Sequence, residues 1–167
     1  MTETIELHHS IDANHVRNIG EQSVSDRVQA VIEIVKNSYD ADALNCTVRF
    51  CGRLAYDASR TNAQVGQTTL LEIDKIVVTD DGTGMTLDDI ENKWMRLATD
   101  SKMKETESKK FGRRVSGQKG MGHFATQKLG SKVTVISNPE FNNADETFIL
   151  YTDWRKYISG LSFADIP

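Results

Sequence analysis

The stretch Glu33-Ile-Val-Lys-Asn37-Ser-Tyr-Asp40-Ala-Asp-Ala43 decides how this chain is read. It closes a longer run, 25–39, in which Val28, Val31, Ile32, Val35 and Tyr39 recur at about 100° per residue and so share one side of a helix. That side is expected to be buried. Ser23 or Ser25 stands where a cap belongs, and Asp26 falls in the first turn, where a negative charge meets the positive end of the helix dipole. Steps of four and seven place Glu33, Asn37 and Asp40 within about 60° of one another, and about 140° from the apolar stripe. Alone, such a polar line is usually the wet side of a helix. Its residue types give it a second meaning: an asparagine carbonyl is a hard oxygen suited to Mg2+, an aspartate is an acceptor, and a glutamate beside them is placed to orient or deprotonate water.

Outward from this helix, 45–50 reads as a strand and 70–79 as a second, with the polar stretch 52–69 between them as a hairpin-type insertion of unreadable role. The second strand ends in Asp80-Asp-Gly82-Thr-Gly84-Met85. A carboxylate only accepts hydrogen bonds, which suits an exocyclic amine such as that of adenine, and glycines let the backbone approach a flat ligand. The same residue types also make ordinary turns. Helical spacing returns over 87–97, and 100–116 carries hardly any apolar residue, so about 99–118 is expected to form a mobile lid. Then comes Gly117-Gln-Lys119-Gly120-Met-Gly122-His-Phe-Ala125, running into a short helix at about 123–129 that Gly130 closes. Glycines ahead of a helix leave backbone N–H groups free for phosphate oxygens, and Lys119 adds a formal charge. The spacing fits neither the dinucleotide fingerprint nor the P-loop. With strands at 132–137 and 147–152 and a short one at 5–8, the pattern predicts an α+β sandwich: one mixed, mostly antiparallel sheet with helices on one face.

A chain of 167 residues supports one hydrophobic core, so a single domain over 1–167 is expected. A formal charge of -4 gives no general electrostatic reason to bind nucleic acid, and the cluster Lys109, Lys110, Arg113 and Arg114 reads as a solvated charged loop. Nucleic-acid contact, where it occurs, is left to other regions. No apolar run reaches the roughly 20 residues of a membrane span, and a cytoplasmic location is the default expectation. Cys46 and Cys51 fall on opposite faces of their strand, about 16 Å apart at roughly 3.3 Å per residue, and do not pair with each other. The histidines form no ligand set with them, which disfavours structural zinc.

In this order the three segments resemble the N, G1 and G2 boxes of the Bergerat-fold (GHKL) ATPases: gyrase B, the ninety-kilodalton heat-shock chaperones, the histidine kinases and the MutL proteins. The wording is closest to the MORC-like and chaperone-like branch, and the similarity covers about 20–155. The resemblance implies roles residue by residue. Glu33 would be the general base for the attacking water, and Asn37 the protein ligand of Mg2+. Asp40 and Ala41 would face the nucleotide near its base. Asp80 would accept the adenine amine, with Gly82, Gly84 and Met85 lining the base. Gly117, Gly120, Met121, Gly122, His123 and Phe124 would wrap the phosphates, with Ser101, Lys102 and Lys119 reaching them. The activity implied is Mg2+-dependent ATP hydrolysis, with ATP and ADP as ligands and ATP-driven lid closure and homodimerisation acting as a switch or clamp. The family's further strand with its Gly-Thr is not visible in 151–167, so a longer protein and slow hydrolysis by this segment alone are expected. The alternatives are a histidine-kinase-type catalytic domain, disfavoured because no phospho-acceptor helix precedes the domain, and an ATP sensor without turnover.

Overall fold

A computed structural model of the chain describes residues 11–56, 69–96, 106–116, 122–140 and 146–166. The first element is a helix, α1 (Ala13–Ser23), started by Asp12, whose carboxylate accepts from the Asn14 amide at 2.8 Å. The other Asp12 oxygen accepts from the Gly160 amide at 2.8 Å, which ties the far end of the described chain to its beginning. Periodicity does not predict α1, because its buried positions, Ala13, Val16 and Gly20, are too small and too few to register as an apolar stripe. The strand expected at 5–8 lies outside the described residues.

The next helix, α2 (Arg27–Asp40), is capped by Asp26 itself, which accepts from the Gln29 amide at 2.8 Å, rather than by Ser23 or Ser25. Ser25 instead donates to the Asp26 carboxylate at 3.1 Å. The expectation of a buried apolar stripe is overturned: Val28 is 70% and Tyr39 45% exposed, whereas the buried residues of α2 are Ala30 and Ser38. Small side chains decide which side faces inward. Ala30 clusters with Val24, Ala125 and partly buried Leu129, and so brings α2 close to the 3₁₀ helix Gly122–Lys128. Of the polar line, Asn37 and Asp40 therefore turn towards the site.

Strands β1 (Cys46–Tyr56) and β2 (Thr69–Asp80) pair antiparallel from Cys46↔Asp80 to Tyr56↔Thr69. β1 runs six residues past the expected end, and the remainder of the insertion, 57–68, lies outside the described residues. A bulge falls between Cys51 and Gly52, and a side chain at Gly52 would strike the Glu72 backbone. Strands β3 (Lys132–Ser137) and β4 (Phe148–Asp153) form a second antiparallel ladder, from Lys132↔Asp153 to Ser137↔Phe148. The α+β class is as expected; among the described residues the strands form two antiparallel ladders rather than one mixed sheet.

The run at 87–97 becomes a short helical turn, α3 (Leu87–Asp89), continued by the π-helical turn Ile90–Trp94. Thr86 and Asp89 start it with a reciprocal capping box. The main core joins Ala13 and Val16 of α1 to Phe124, Trp154 and Tyr157, with Val133 and Ile166 packed against it. Fully burying Val16 contributes about 1.5–3 kcal/mol. Among the described residues no helix is long and apolar enough to cross a membrane.

Candidate functional site

The adjacent acids at the end of β2 point to different partners. The Ser38 hydroxyl of α2 donates to Asp80 Oδ2 at 2.9 Å, and the Gly82 amide donates to Oδ1 at 3.0 Å. Asp81 accepts instead from the Leu44 and Asn45 amides at 2.8 and 2.7 Å and from Asn45 Nδ2 at 2.8 Å. The Asn45 hydrogen bonds hold the Asp81 carboxyl below the usual carboxylate range. Asp81 thus pins the loop after α2, while Asp80 joins β2 to the helix. The segment that follows is fixed on both sides: the Thr83 amide donates to the Ala41 carbonyl at 2.7 Å, and the Met85 amide donates to Ser137 Oγ at 2.6 Å.

Gly84 has φ +68°, and a Cβ there would strike the Asn138 carbonyl oxygen. Gly84→Ala is therefore expected to lower stability by about 2–4 kcal/mol in chemical denaturation, combining left-handed strain with the collision. A loss under about 0.5 kcal/mol would mean that the turn relaxes freely.

These constraints bring all three polar segments to one cavity of about 200 Å3. Asn37, Asp40 and Ala41 line it from α2 and its cap, Gly84 and Met85 from the β2 turn, and Gly122 and His123 from the start of the 3₁₀ helix. An ideal Cβ on Gly122 would lie 3.5 Å from both Oδ1 and Nδ2 of Asn37, so the glycine leaves open the space in front of that carboxamide. The opening, a carboxamide oxygen and a helix start meet at one place, which fits a Mg2+–phosphate group.

The remaining sequence-predicted residues lie elsewhere. Glu33, Asp80, Gly82 and Phe124 are not in the cavity wall. Glu33 sits one turn before Asn37, its Oε1 accepting from Gln29 Nε2 at 2.7 Å and from Lys36 Nζ at 2.8 Å. The Phe124 side chain belongs to the core. Ser101, Lys102, Gly117, Lys119, Gly120 and Met121 lie outside the described residues.

Other wall residues come from 86–94, to which the sequence reading gives no site role, and from the segment 106–116, read there as part of a lid. Asp89 pairs with Lys93 at 3.0 Å, the i,i+4 spacing that would have signalled it, and lies 3.9 Å from Lys109. Burial pushes the Asp89 carboxyl up, but hydrogen bonds from Lys93 and Thr86 outweigh it and leave the group below its ordinary value. The Trp94 ring meets His123 with centroids 4.9 Å apart.

The segment 106–116 is tied to the end of α2 by two aspartates. Asp42, 3% exposed, has φ 63°, alone among the described non-glycine residues in being positive. Its carboxylate accepts from the Ser108 hydroxyl in a short hydrogen bond, from the Lys110 amide at 2.7 Å and from the Phe111 amide at 3.3 Å. Ser116 donates to Asp40 Oδ1 through its amide at 2.8 Å and its hydroxyl at 3.0 Å. Arg113 donates to the Ala43 carbonyl at 2.7 Å and lies over the Tyr39 and Phe111 rings. Lys110 pairs with Glu140 at 2.6 Å. Of the basic cluster, Arg113 is thereby held against the end of α2 by charge-assisted and cation–π contacts, whereas Lys109, Lys110 and Arg114 are exposed, as a solvated charged loop requires.

A family model described as "Histidine kinase-, DNA gyrase B-, and HSP90-like ATPase" matches residues 25–160. No curated protein matches the chain.

Proposed function

The chain belongs to the histidine kinase-, DNA gyrase B- and HSP90-like ATPase family, and from that premise we propose that it binds Mg2+-ATP in the cavity between α2, the β2 turn and the 3₁₀ helix, and hydrolyses it. The observation that carries the proposal is the convergence of Asn37, Gly84 with Met85, and Gly122 with His123 on that one cavity. Adenine lies at the Gly84–Met85 end, its amine directed to Asp80. Phosphates lie against Gly122 and His123. Asn37 would hold Mg2+, which would offset the negative charge of the phosphate oxygens. Glu33 accepts the proton of the attacking water. Closing of the 99–118 segment over the nucleotide, and assembly of two copies in response, follow as the conformational output.

A sensor that binds nucleotide without turnover is the second reading, favoured by one observation: Lys36 already neutralises Glu33. Calorimetry with ATP, ADP and a non-hydrolysable analogue, set beside phosphate release, separates the two. The expected result is Mg2+-dependent ATP binding weakened on the order of tenfold by Asn37→Ala, about 1.4 kcal/mol, with phosphate released by the parent chain. Unequal nucleotide affinities without release would favour sensing. If neither nucleotide binds, both readings fail.

A further inference from the structure

Of the basic residues in the segment 106–116, Lys109 is the one that lines the cavity given above to the nucleotide. The backbone on both sides of it is fixed. Asp42 accepts from the Ser108 hydroxyl before it and from the Lys110 and Phe111 amides after it, and Ser116 is bonded to Asp40 further along. Lys109 is thus held at the wall by its neighbours rather than by its own side chain. Lys110 pairs with Glu140 at 2.6 Å, Arg113 donates to the Ala43 carbonyl at 2.7 Å, and neither they nor Arg114 line the cavity.

The Lys109 ammonium is weakly held and open to solvent. Its Nζ lies 3.9 Å from Oδ1 of Asp89, another wall residue, at the limit of an ion pair, and the side chain is 58% exposed. Asp89 is already matched without it: the same Oδ1 meets Lys93 Nζ at 3.0 Å, and Oδ2 accepts from the Thr86 amide at 3.2 Å and the Thr86 hydroxyl at 2.9 Å. One carboxylate balances one ammonium, so the Lys109 charge is in excess at this point of the wall. Glu107, the segment's acidic wall residue, has its Oε2 beside Gly112, on the segment's own turn. The π-helical turn Ile90–Trp94 then sets Lys93 and Trp94 in the wall, and the Trp94 ring meets His123. Asp89, against which the ammonium lies, is therefore about one helical turn from the residues that meet the phosphate end of the cavity.

Resting on the nucleotide reading of this cavity, we propose that Lys109 is a phosphate-binding residue: its ammonium leaves Asp89 for the phosphate oxygens of the bound nucleotide, while Lys93 keeps the Asp89 carboxylate matched. The exchange is favourable because a charge-assisted hydrogen bond to phosphate replaces a contact at 3.9 Å. The flexible four-carbon stem of lysine permits it without movement of the anchored backbone.

Calorimetric titration with Mg2+-ATP of the parent chain, Lys109→Gln, Lys109→Arg and Lys110→Gln tests this. Lys109→Gln should bind at least about tenfold more weakly, and Lys109→Arg, which keeps the charge, should stay within about threefold of the parent. Lys110→Gln, next along the chain but paired with Glu140 outside the cavity wall, should stay within about twofold. Hydrogen exchange at the Lys110 and Phe111 amides should be the same in Lys109→Gln as in the parent, since no bond to Asp42 is lost. Any of four results would overturn the proposal and leave the nucleotide reading in place: an ATP affinity kept by Lys109→Gln, an equal loss in Lys110→Gln, no recovery in Lys109→Arg, or faster exchange of the two amides. A parent chain that binds no Mg2+-ATP would remove both.

Discussion

Glu33→Ala is expected to bind Mg2+-ATP with an affinity within about twofold of the parent chain and to release phosphate about 100- to 10,000-fold more slowly, the span of a lost general base. Binding should survive because Glu33 is not in the cavity wall, whereas Asn37, one turn later on the same face of α2, is. Folding should survive as well. The substitution removes the Gln29 hydrogen bond and the Lys36 ion pair, both within one helix, and a partly exposed pair of this kind contributes about 0–1 kcal/mol. Both partners engage Oε1, which leaves Oε2 to order a water. Phosphate release under saturating Mg2+-ATP, alongside calorimetric affinity, checks the assignment. Turnover retained in Glu33→Ala with normal binding would remove Glu33 as the base.

What the sequence made legible is what short-range pattern encodes. The 3.6-residue recurrence located α2, pattern located β3 and β4 to within a residue, and the glycine-bounded segment after β2 and the glycine at the start of the 3₁₀ helix marked two walls of the cavity. What stayed hidden depends on partners far along the chain. Which face of α2 turns inward was misread because Val28, Ile32 and Tyr39 outweigh Ala30 in hydrophobicity, yet Ala30 and Ala125 permit the closer approach. Asp80 and Asp81 cannot be told apart by residue type, and only hydrogen bonds to residues 42 and 36 positions away separate them. The region about 99–118 reads as unattached because it buries little apolar surface. Its described part is held instead by hydrogen bonds to Asp40 and Asp42, which hydrophobic pattern does not report.

Asp42 should be the residue whose replacement most disturbs that attachment, and three substitutions separate its two properties. Asparagine tolerates a positive φ and keeps a carbonyl acceptor, so Asp42→Asn should cost least. Glycine adopts φ 63° without strain but offers no acceptor, so Asp42→Gly should cost about 1–3 kcal/mol through the buried Ser108 hydroxyl left unpaired. Alanine loses the acceptor and strains the backbone, bringing Asp42→Ala to about 2–5 kcal/mol. Hydrogen exchange at the Lys110 and Phe111 amides should accelerate in the same order, since both donate to Asp42. Equal losses for glycine and alanine would mean that the positive φ carries no cost, and a glycine variant as stable as the parent would mean that the hydrogen bonds carry none. The pH response follows from the carboxyl itself. Burial pushes it up, but Ser108, the Lys110 and Phe111 amides and the Arg113 charge together bring it below its ordinary value. A depressed carboxyl contributes stability that is fully present above its unfolded pKa, about 3.9, and is lost as pH falls through the lower folded value. Exchange at Lys110 and Phe111, corrected for intrinsic rate, should therefore stay flat from neutral pH down to about pH 4. Loss of protection between about pH 5 and 7 would assign the attachment to a histidine-range group rather than to Asp42.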